Sequence, residues 1–183
     1  MIERFLSLIM VCLLWSCSPN TENNTEKKDV TVDGSEKEVD VNQLLAEITF
    51  EDLQGNTLSL SDYKGKAILI DFWETWCTPC LKSFPAIQKA VEQNPNDFVV
   101  LAVNLGESDT AEDIKAFADK HPEYSFVWAK DVEKLAAQLN IPGIPYKLYI
   151  NKDGSYSHHE LGLSGSEETN FQKLIRFIET QPN

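Results

Sequence analysis

Two cysteines, Cys77 and Cys80, are separated by two residues at the junction between an apolar segment and an amphipathic one. The apolar spacing that follows predicts a helix over residues 78–93, so both thiols lie at its first turn. Free backbone N–H groups and the positive end of the helix dipole favour a thiolate there, lowering a cysteine pKa from about 8.5 to between about 3.5 and 7.5. We therefore predict that Cys77 is the exposed nucleophile of a thiol–disulfide exchange and that Cys80 is the partly covered resolving thiol.

The same spacing is also found in metal sites. A zinc site usually has about four ligands, and the sequence offers neither a second Cys-x-x-Cys nor a spaced histidine pair. Two thiolates also suit Cu(I), with His158 or His159 as a further ligand. Adjacent strand residues point to opposite faces, so at most one of these histidines can join such a site. A copper-handling binding module remains the non-enzymatic alternative.

The N-terminus has the pattern of an export signal. Residues 5–15 form an apolar run, which suits a signal-peptide core and is shorter than the roughly 20 residues of a membrane-spanning helix. The run ends at Ser16 and Cys17, an arrangement that resembles a bacterial lipobox. We predict a lipoprotein signal peptide over residues 1–17, with Cys17 lipidated. Cys12 fits the pattern less well, and an ordinary cleaved leader or an uncleaved anchor is the alternative.

Composition divides the remaining chain into a tether and a domain. Residues 18–45 are rich in Asn, Thr, Glu, Lys and Asp, cannot bury enough surface to order themselves, and are predicted to be a flexible tether spanning on the order of 30 Å. Residues 46–183 form the predicted domain. The full chain has a net charge of −13 without a basic cluster, which argues against nucleic-acid binding.

The hydrophobic pattern of the domain alternates between strand and helix. Gly55 marks the turn of an opening hairpin, and residues 67–73 read as a central strand buried on both faces. The later segments, in order, are a helix at 78–93, a strand at 97–104, a helix from Thr110, a strand at 124–129, a helix at 131–139, strands at 146–150 and 156–161, and a last helix. This order predicts an α/β fold with a mixed central sheet, flanking helices and a helical insertion.

The segment from Asp71 to Cys80 resembles the active-site segment of the thioredoxin superfamily. The preceding hairpin, the insertion between about residues 106 and 124 and the export signal are similar to the membrane-anchored TlpA/ResA-like thiol–disulfide oxidoreductases. The resemblance covers roughly residues 46–180 and implies a thioredoxin fold.

The resemblance also implies roles for further residues. Asp71 corresponds to the buried acid that takes the proton of the resolving cysteine, and its carboxyl in an apolar strand should have a raised pKa. Ile144 and Pro145 resemble the cis-proline loop, in which the backbone of Ile144 is presented to an extended substrate strand. Three more residues are expected to contact substrate beside that loop, namely Trp76, Thr78 and Pro79. Glu74 stands where the family often has a small residue, and we expect its side chain to be solvated.

The resulting hypothesis is an enzyme, a protein-disulfide oxidoreductase that is bound to the bacterial envelope and faces out of the cytoplasm. It needs no cofactor or metal, and as a reductant it would serve cytochrome c maturation or disulfide repair. Its expected partners are exported thiol or disulfide proteins and an upstream membrane electron donor, and the domain is expected to be a monomer. A thiol peroxidase of the peroxiredoxin-like group is a further alternative, although neither cysteine of the pair has the threonine three positions before it that this group uses.

Overall fold

The computed structural model describes residues 40–181, which are organised around one seven-stranded sheet. The predicted signal peptide, Cys17 and most of the predicted tether lie outside these residues. Within the described part of the chain, no helix is both long and apolar enough to cross a membrane.

The helices and strands follow the order that the sequence predicts, with one additional helix at the start. In chain order they are α1 (Val41–Glu47), β1 (Thr49–Asp52), β2 (Thr57–Ser59), a 3₁₀ turn (Leu60–Tyr63), β3 (Ala67–Trp73), α2 (Thr78–Gln93), β4 (Phe98–Asn104), α3 (Ala111–Lys120), β5 (Val127–Lys130), α4 (Leu135–Gln138), β6 (Tyr146–Ile150), β7 (Tyr156–Leu161) and α5 (Glu167–Glu179). The predicted bounds of α2 are confirmed.

The sheet is mixed, and β3 lies inside it. The strand order is β2-β1-β5-β4-β3-β6-β7, with β3 parallel to β4 and antiparallel to β6. Every residue of β3 is buried, as expected for a strand covered on both faces. The predicted α/β fold with a mixed sheet, a first hairpin and an inserted helix is confirmed.

Side chains alternate along β3 between two hydrophobic clusters, one on each face of the sheet. Leu69 and Trp73 belong to the cluster that includes residues of α2, α3 and α5. Ile68 and Phe72 belong to the cluster that includes residues of α1 and α4. Asp71 has the same parity as Leu69 and Trp73 and therefore lies on the face covered by α2.

The domain begins earlier than predicted. The sequence analysis assigned residues 41–45 to the tether, whereas they form most of α1. The Asp40 carboxylate accepts hydrogen bonds from the backbone N–H groups of Asn42 and Gln43, which caps this helix. Leu45 is 1% exposed. The helix was not predicted because the segment is mostly polar and the helix is short and buries few apolar side chains.

Two predicted boundaries after α3 were also wrong. The strand predicted at 124–129 is shorter and shifted, because β5 covers Val127–Lys130. The helix predicted at 131–139 is reduced to the single turn of α4. The Asp131 carboxylate accepts hydrogen bonds from the backbone of Leu135 at 2.7 Å and of Ala136 at 3.0 Å, which places the helix start after Lys134. Lys134 itself has a left-handed backbone, with φ of 61°, which a continuous helix does not allow.

Candidate active site

The two cysteines are joined by a disulfide at the start of α2. Cys77 is the N-cap residue, and its sulfur accepts a hydrogen bond from the backbone N–H of Cys80 at 3.3 Å. Cys77 is 1% exposed and Cys80 is 0% exposed. The expectation that Cys77 is exposed in contrast to Cys80 is therefore wrong for the oxidised pair. Helix position distinguishes the two sulfurs, because Cys77 caps α2 and Cys80 lies within its first turn.

Asp71 is fully buried on the α2 side of β3 and faces one cation. Its partner is Lys147, which lies directly opposite it in the antiparallel pairing of β3 and β6. The distance from Lys147 Nζ to Asp71 Oδ1 is 3.4 Å. Neither group has a hydrogen-bond partner within residues 40–181. Burial raises the pKa of Asp71, and the positive charge of Lys147 opposes that rise.

The loop that precedes β6 contains a cis proline. The peptide bond between Ile144 and Pro145 is cis, and Pro145 is buried. Ile144 packs against the cluster that contains both cysteines. The loop therefore packs against the same hydrophobic cluster as the disulfide.

An open groove lies beside this loop, with a volume of about 820 Å³. Trp76 and Ile144 line it, and Trp76 is 61% exposed. Its other lining residues are Leu105, Glu107, Ala136, Ala137, Asn140, Ile141, Pro142 and Gly143. Thr78 and Pro79 are also exposed but lie outside this lining. The structure thus places Trp76 and Ile144 at one surface, with Thr78 and Pro79 nearby in sequence.

The Glu74 side chain is buried, with 0% exposure, which contradicts the expectation that it is solvated. Its Oε1 accepts hydrogen bonds from the backbone N–H groups of Glu107 at 2.8 Å and Ser108 at 3.3 Å. Its Oε2 accepts hydrogen bonds from the Ser108 hydroxyl at 2.6 Å and from the indole N–H of Trp76. A buried carboxylate is tolerated where donors satisfy its oxygens, and here four donors do so.

A second buried carboxylate, Asp109, connects the same two loops. Its oxygens accept hydrogen bonds from the backbone N–H and the hydroxyl of Thr75, both at 2.6 Å, and from the amide of Asn104 at 2.6 Å. The Asn104 oxygen in turn accepts from the N–H of Gly106 at 2.8 Å. Together, Glu74 and Asp109 fix the loop before Cys77 to the loop after β4.

Two further residues, Trp73 and His158, pack against aromatic side chains. Trp73 is buried and packs against Phe84, Phe117 and Trp128, with ring centroids 4.9 to 5.4 Å apart. His158 stacks on Tyr149 with centroids 4.1 Å apart. No group of three or more His, Cys, Asp or Glu side chains within residues 40–181 is arranged to hold a metal ion.

Sequence reasoning missed Lys147, Ser108 and Asp109. A lysine inside the apolar strand that follows Pro145 was a usable signal, because a buried lysine normally has an acidic partner. Ser108 and Asp109 carried no comparable signal, since their contacts depend on how two distant loops meet.

Comparisons with known proteins agree with this geometry. Residues 41–158 match the model of the AhpC/TSA family. The thioredoxin-like protein YneN of Bacillus subtilis strain 168 is 27% identical over 176 residues, which cover 95% of this chain and 98% of YneN. The thiol-disulfide oxidoreductase ResA of Bacillus thuringiensis strain Al Hakam is 28% identical over 118 residues, which cover 64% of this chain and 67% of ResA.

A solved structure with similar identity has the same fold. The crystal structure of the pneumococcal exposed lipoprotein thioredoxin Etrx1, from Streptococcus pneumoniae strain TIGR4, matches with a TM-score of 0.55 and 26% identity. The match covers 70% of this chain and 98% of that one.

Proposed function

The chain belongs to the AhpC/TSA family of the thioredoxin superfamily and is a thiol–disulfide oxidoreductase, and we propose that it reduces disulfides of exported proteins outside the cytoplasm. The observation that carries the proposal is the Cys77–Cys80 disulfide at the start of α2, with Ile144 of the cis-proline loop packed against the same cluster. The groove next to this loop supplies a surface on which a partner segment can dock.

Cys77 performs the first step in the reduced protein. Its thiolate attacks one sulfur of the partner disulfide, so that a Cys77–partner disulfide forms and the partner's other sulfur leaves as a thiolate, which takes a proton from water. The N-terminus of α2 stabilises the Cys77 thiolate, because unpaired N–H groups and the helix dipole are directed toward the N-cap position.

Cys80 and Asp71 perform the second step. Asp71 accepts the thiol proton of Cys80, and the Cys80 thiolate then attacks the sulfur of Cys77. The Cys77–partner bond breaks, the partner leaves as a second thiolate, and the Cys77–Cys80 disulfide remains. A buried carboxyl with a raised pKa suits this work, since a base with a pKa nearer to the working pH accepts a proton more effectively.

The oxidised pair is returned to the dithiol by an electron donor. The reverse reaction requires two electrons and two protons, which a dithiol of an upstream membrane protein supplies by the same exchange chemistry. The protein then acts as a carrier between that donor and the exported substrates.

The groove binds an extended segment that contains the substrate cystine. Its apolar lining includes Trp76 and Ile144, and the substrate backbone pairs with the backbone of Ile144 beside the cis bond. Thr78 and Pro79 are exposed at the start of α2 and complete the contact surface. One copy of the domain contains the whole site, so the monomer is the active unit.

Lipidation of Cys17 holds the domain at the bacterial envelope, on the side away from the cytoplasm. The lipobox-like sequence supports this location, as does the similarity to Etrx1, which is described as an exposed lipoprotein. Metabolic labelling with a palmitate analogue tests it, and we expect label on the wild-type chain and on Cys12→Ser but not on Cys17→Ser. Label that depends on Cys12 instead would contradict the assignment.

The activity is tested by dithiothreitol-driven reduction of insulin, and its direction by the reduction potential. We expect the wild-type chain to accelerate insulin reduction and the Cys77→Ser variant to be inactive. Equilibration with glutathione should give a potential nearer to the about −270 mV of thioredoxin than to the about −120 mV of the oxidant DsbA. A potential near that of DsbA, or rapid turnover of hydrogen peroxide, would contradict the proposed role as a reductant.

A further inference from the structure

Glu74 is hydrogen-bonded to two parts of the lining of the docking groove, although its own side chain is buried and does not line it. Trp76, Leu105 and Glu107 all line this groove. Glu74 Oε2 accepts from the Trp76 indole, and Glu74 Oε1 accepts from the Glu107 backbone at 2.8 Å. A single carboxylate thus holds the indole and the loop after β4 in one arrangement.

The Trp76 ring needs such a restraint. An indole that is 61% exposed has few packing contacts to fix its rotamer. Its N–H is directed to Glu74 Oε2 and to the Ser108 hydroxyl, the latter at 3.0 Å. Ser108 is itself bound to Glu74 through its hydroxyl and its backbone N–H. Each polar contact of the exposed ring therefore leads to the same buried carboxylate.

We propose that Glu74 is a positioning residue that fixes Trp76 and the loop segment Leu105–Glu107 in the shape that receives a protein substrate. The inference rests on the proposed function, because it assigns Glu74 to substrate docking at that site. A groove formed before binding avoids the entropic cost of ordering an aromatic side chain and a loop during association. Glu74 acts through Trp76 and the loop, and it does not contact the reacting sulfurs in the proposed steps.

The Glu74→Gln variant separates the contact with the Trp76 indole from the contacts with the backbone of Glu107 and Ser108. Glutamine retains one carbonyl oxygen, which can still accept from the backbone of Glu107 and Ser108. Its amide nitrogen replaces Oε2 and presents a donor to the Trp76 N–H, so the direct contact of residue 74 with the indole is lost and the Ser108 hydroxyl is the acceptor that remains. We expect the variant to keep its fold and to hold the Trp76 ring less firmly, and far-ultraviolet circular dichroism with a thermal melt checks the fold.

The kinetic test compares a large substrate with a small one. For insulin, we expect the KM of Glu74→Gln to rise by about fivefold with kcat within about twofold, the size expected for one lost hydrogen bond. The rate at which dithiothreitol reduces the Cys77–Cys80 disulfide should stay within about twofold of wild type, because a small thiol does not use the groove. Glu179→Gln, an exposed acid at the end of α5, is the matched control and should change neither value.

A double-mutant cycle separates positioning from a general structural effect. Trp76→Phe removes the indole N–H, so adding Glu74→Gln to it should raise the KM for insulin by less than about twofold further. An equal rise in both backgrounds would overturn the proposal. If Glu74→Gln unfolds, Ser108→Ala replaces it in the cycle, because it removes one partner of the indole and leaves the carboxylate in place.

Acrylamide quenching of tryptophan fluorescence gives a readout that does not depend on activity. The contribution of Trp76 is obtained by subtracting the signal of Trp76→Phe, and it should become more accessible to acrylamide in Glu74→Gln. Unchanged quenching would overturn the proposal even if KM rises. Failure of the wild-type chain to reduce insulin would instead contradict the proposed function, and quenching would then decide the role of Glu74 alone.

Discussion

Asp71 and Lys147 form a buried ion pair across two neighbouring strands of the sheet. Their charged atoms are 3.4 Å apart, with the Asp71 side chain 0% and the Lys147 side chain 8% exposed. Removing one member of a buried pair leaves an unpaired charge, which is much more costly than the pair itself. The pair therefore links the proton-accepting residue of the proposed mechanism to the stability of the domain.

The Lys147→Met substitution should make the free energy of unfolding decrease more steeply as pH rises than it does in the wild-type protein. Burial already raises the pKa of Asp71 in the folded protein above its ordinary value of 3.8, and losing Lys147 raises it further. The stability that Asp71 contributes is complete below its unfolded pKa and is lost as pH rises through its folded pKa. The unfolding free energy of Lys147→Met, relative to wild type, should therefore decrease as pH rises above about 4.

Urea denaturation between about pH 4 and about pH 8, the range in which carboxyl groups with raised pKa values titrate, measures this dependence. Lys82→Met, which alters an exposed lysine of the same domain, is the control and should show no such slope. A difference between Lys147→Met and wild type that does not vary with pH would contradict the coupling of the two residues.

The Asp71→Asn variant should slow the second step of exchange and spare the first. An amide cannot accept the Cys80 proton, so release of the Cys77–partner disulfide should slow by about 100-fold, within the usual range for loss of a general base. Formation of that disulfide should change by less than about threefold. Stopped-flow mixing followed by acid quenching and mass spectrometry measures both rates.

The Asp71→Asn variant also leaves Lys147 without its counter-ion. The double variant Asp71→Asn, Lys147→Met removes that charge and should recover stability without recovering the rate of release. Recovery of the rate together with stability would contradict a role for Asp71 as the base.

Helix α1 should contribute to the stability of the folded domain. Leu45 is 1% exposed and lies in the same hydrophobic cluster as Phe50 and Phe72. Leu45→Ala should lower the unfolding free energy by about 2–4 kcal/mol, as other buried leucines do when truncated. Denaturant titration tests this, with the exposed Leu161→Ala as the control. Equal effects of the two substitutions would show that α1 does not contribute to the stable domain.

Asp109 should contribute to the stability of the domain, because its carboxylate satisfies donors from two loops. Replacing it by alanine leaves the Thr75 N–H and the Asn104 amide without an acceptor, which costs about 1–3 kcal/mol for each buried group. We expect a loss of about 2–4 kcal/mol in Asp109→Ala. Glu112→Ala, an exposed acid nearby in the chain, should lose much less in the same denaturant titration.

Local patterns in the sequence were sufficient for the fold class and for the position of the cysteine pair. The apolar spacing after Cys77 is strongly periodic, and the predicted bounds of α2 agree with the structure. The run that forms β3 is apolar except for Asp71, which indicated both the central strand and the buried acid. Lys147 required the register of β3 against β6, and no local pattern supplies that register.

The surroundings of Glu74 could not be predicted for a similar reason. Two of its donors, the backbone N–H of Glu107 and of Ser108, lie 33 and 34 residues later in the chain. When only its neighbours in sequence are considered, Glu74 is predicted to be solvated, because charged side chains are usually exposed. Its burial results from the loop after β4 folding over it, which is a tertiary effect.

The order of the two cysteines in the reaction is tested most directly by trapping. The full chain with Cys80→Ser cannot resolve a Cys77–partner disulfide, so partners should remain attached to Cys77 after alkylation and should be released by dithiothreitol. Cys77→Ser should carry few adducts, and the variant lacking both thiols should carry none. Adducts that accumulate on Cys77→Ser as much as on Cys80→Ser, or that are absent from both, would contradict exchange through a Cys77 nucleophile.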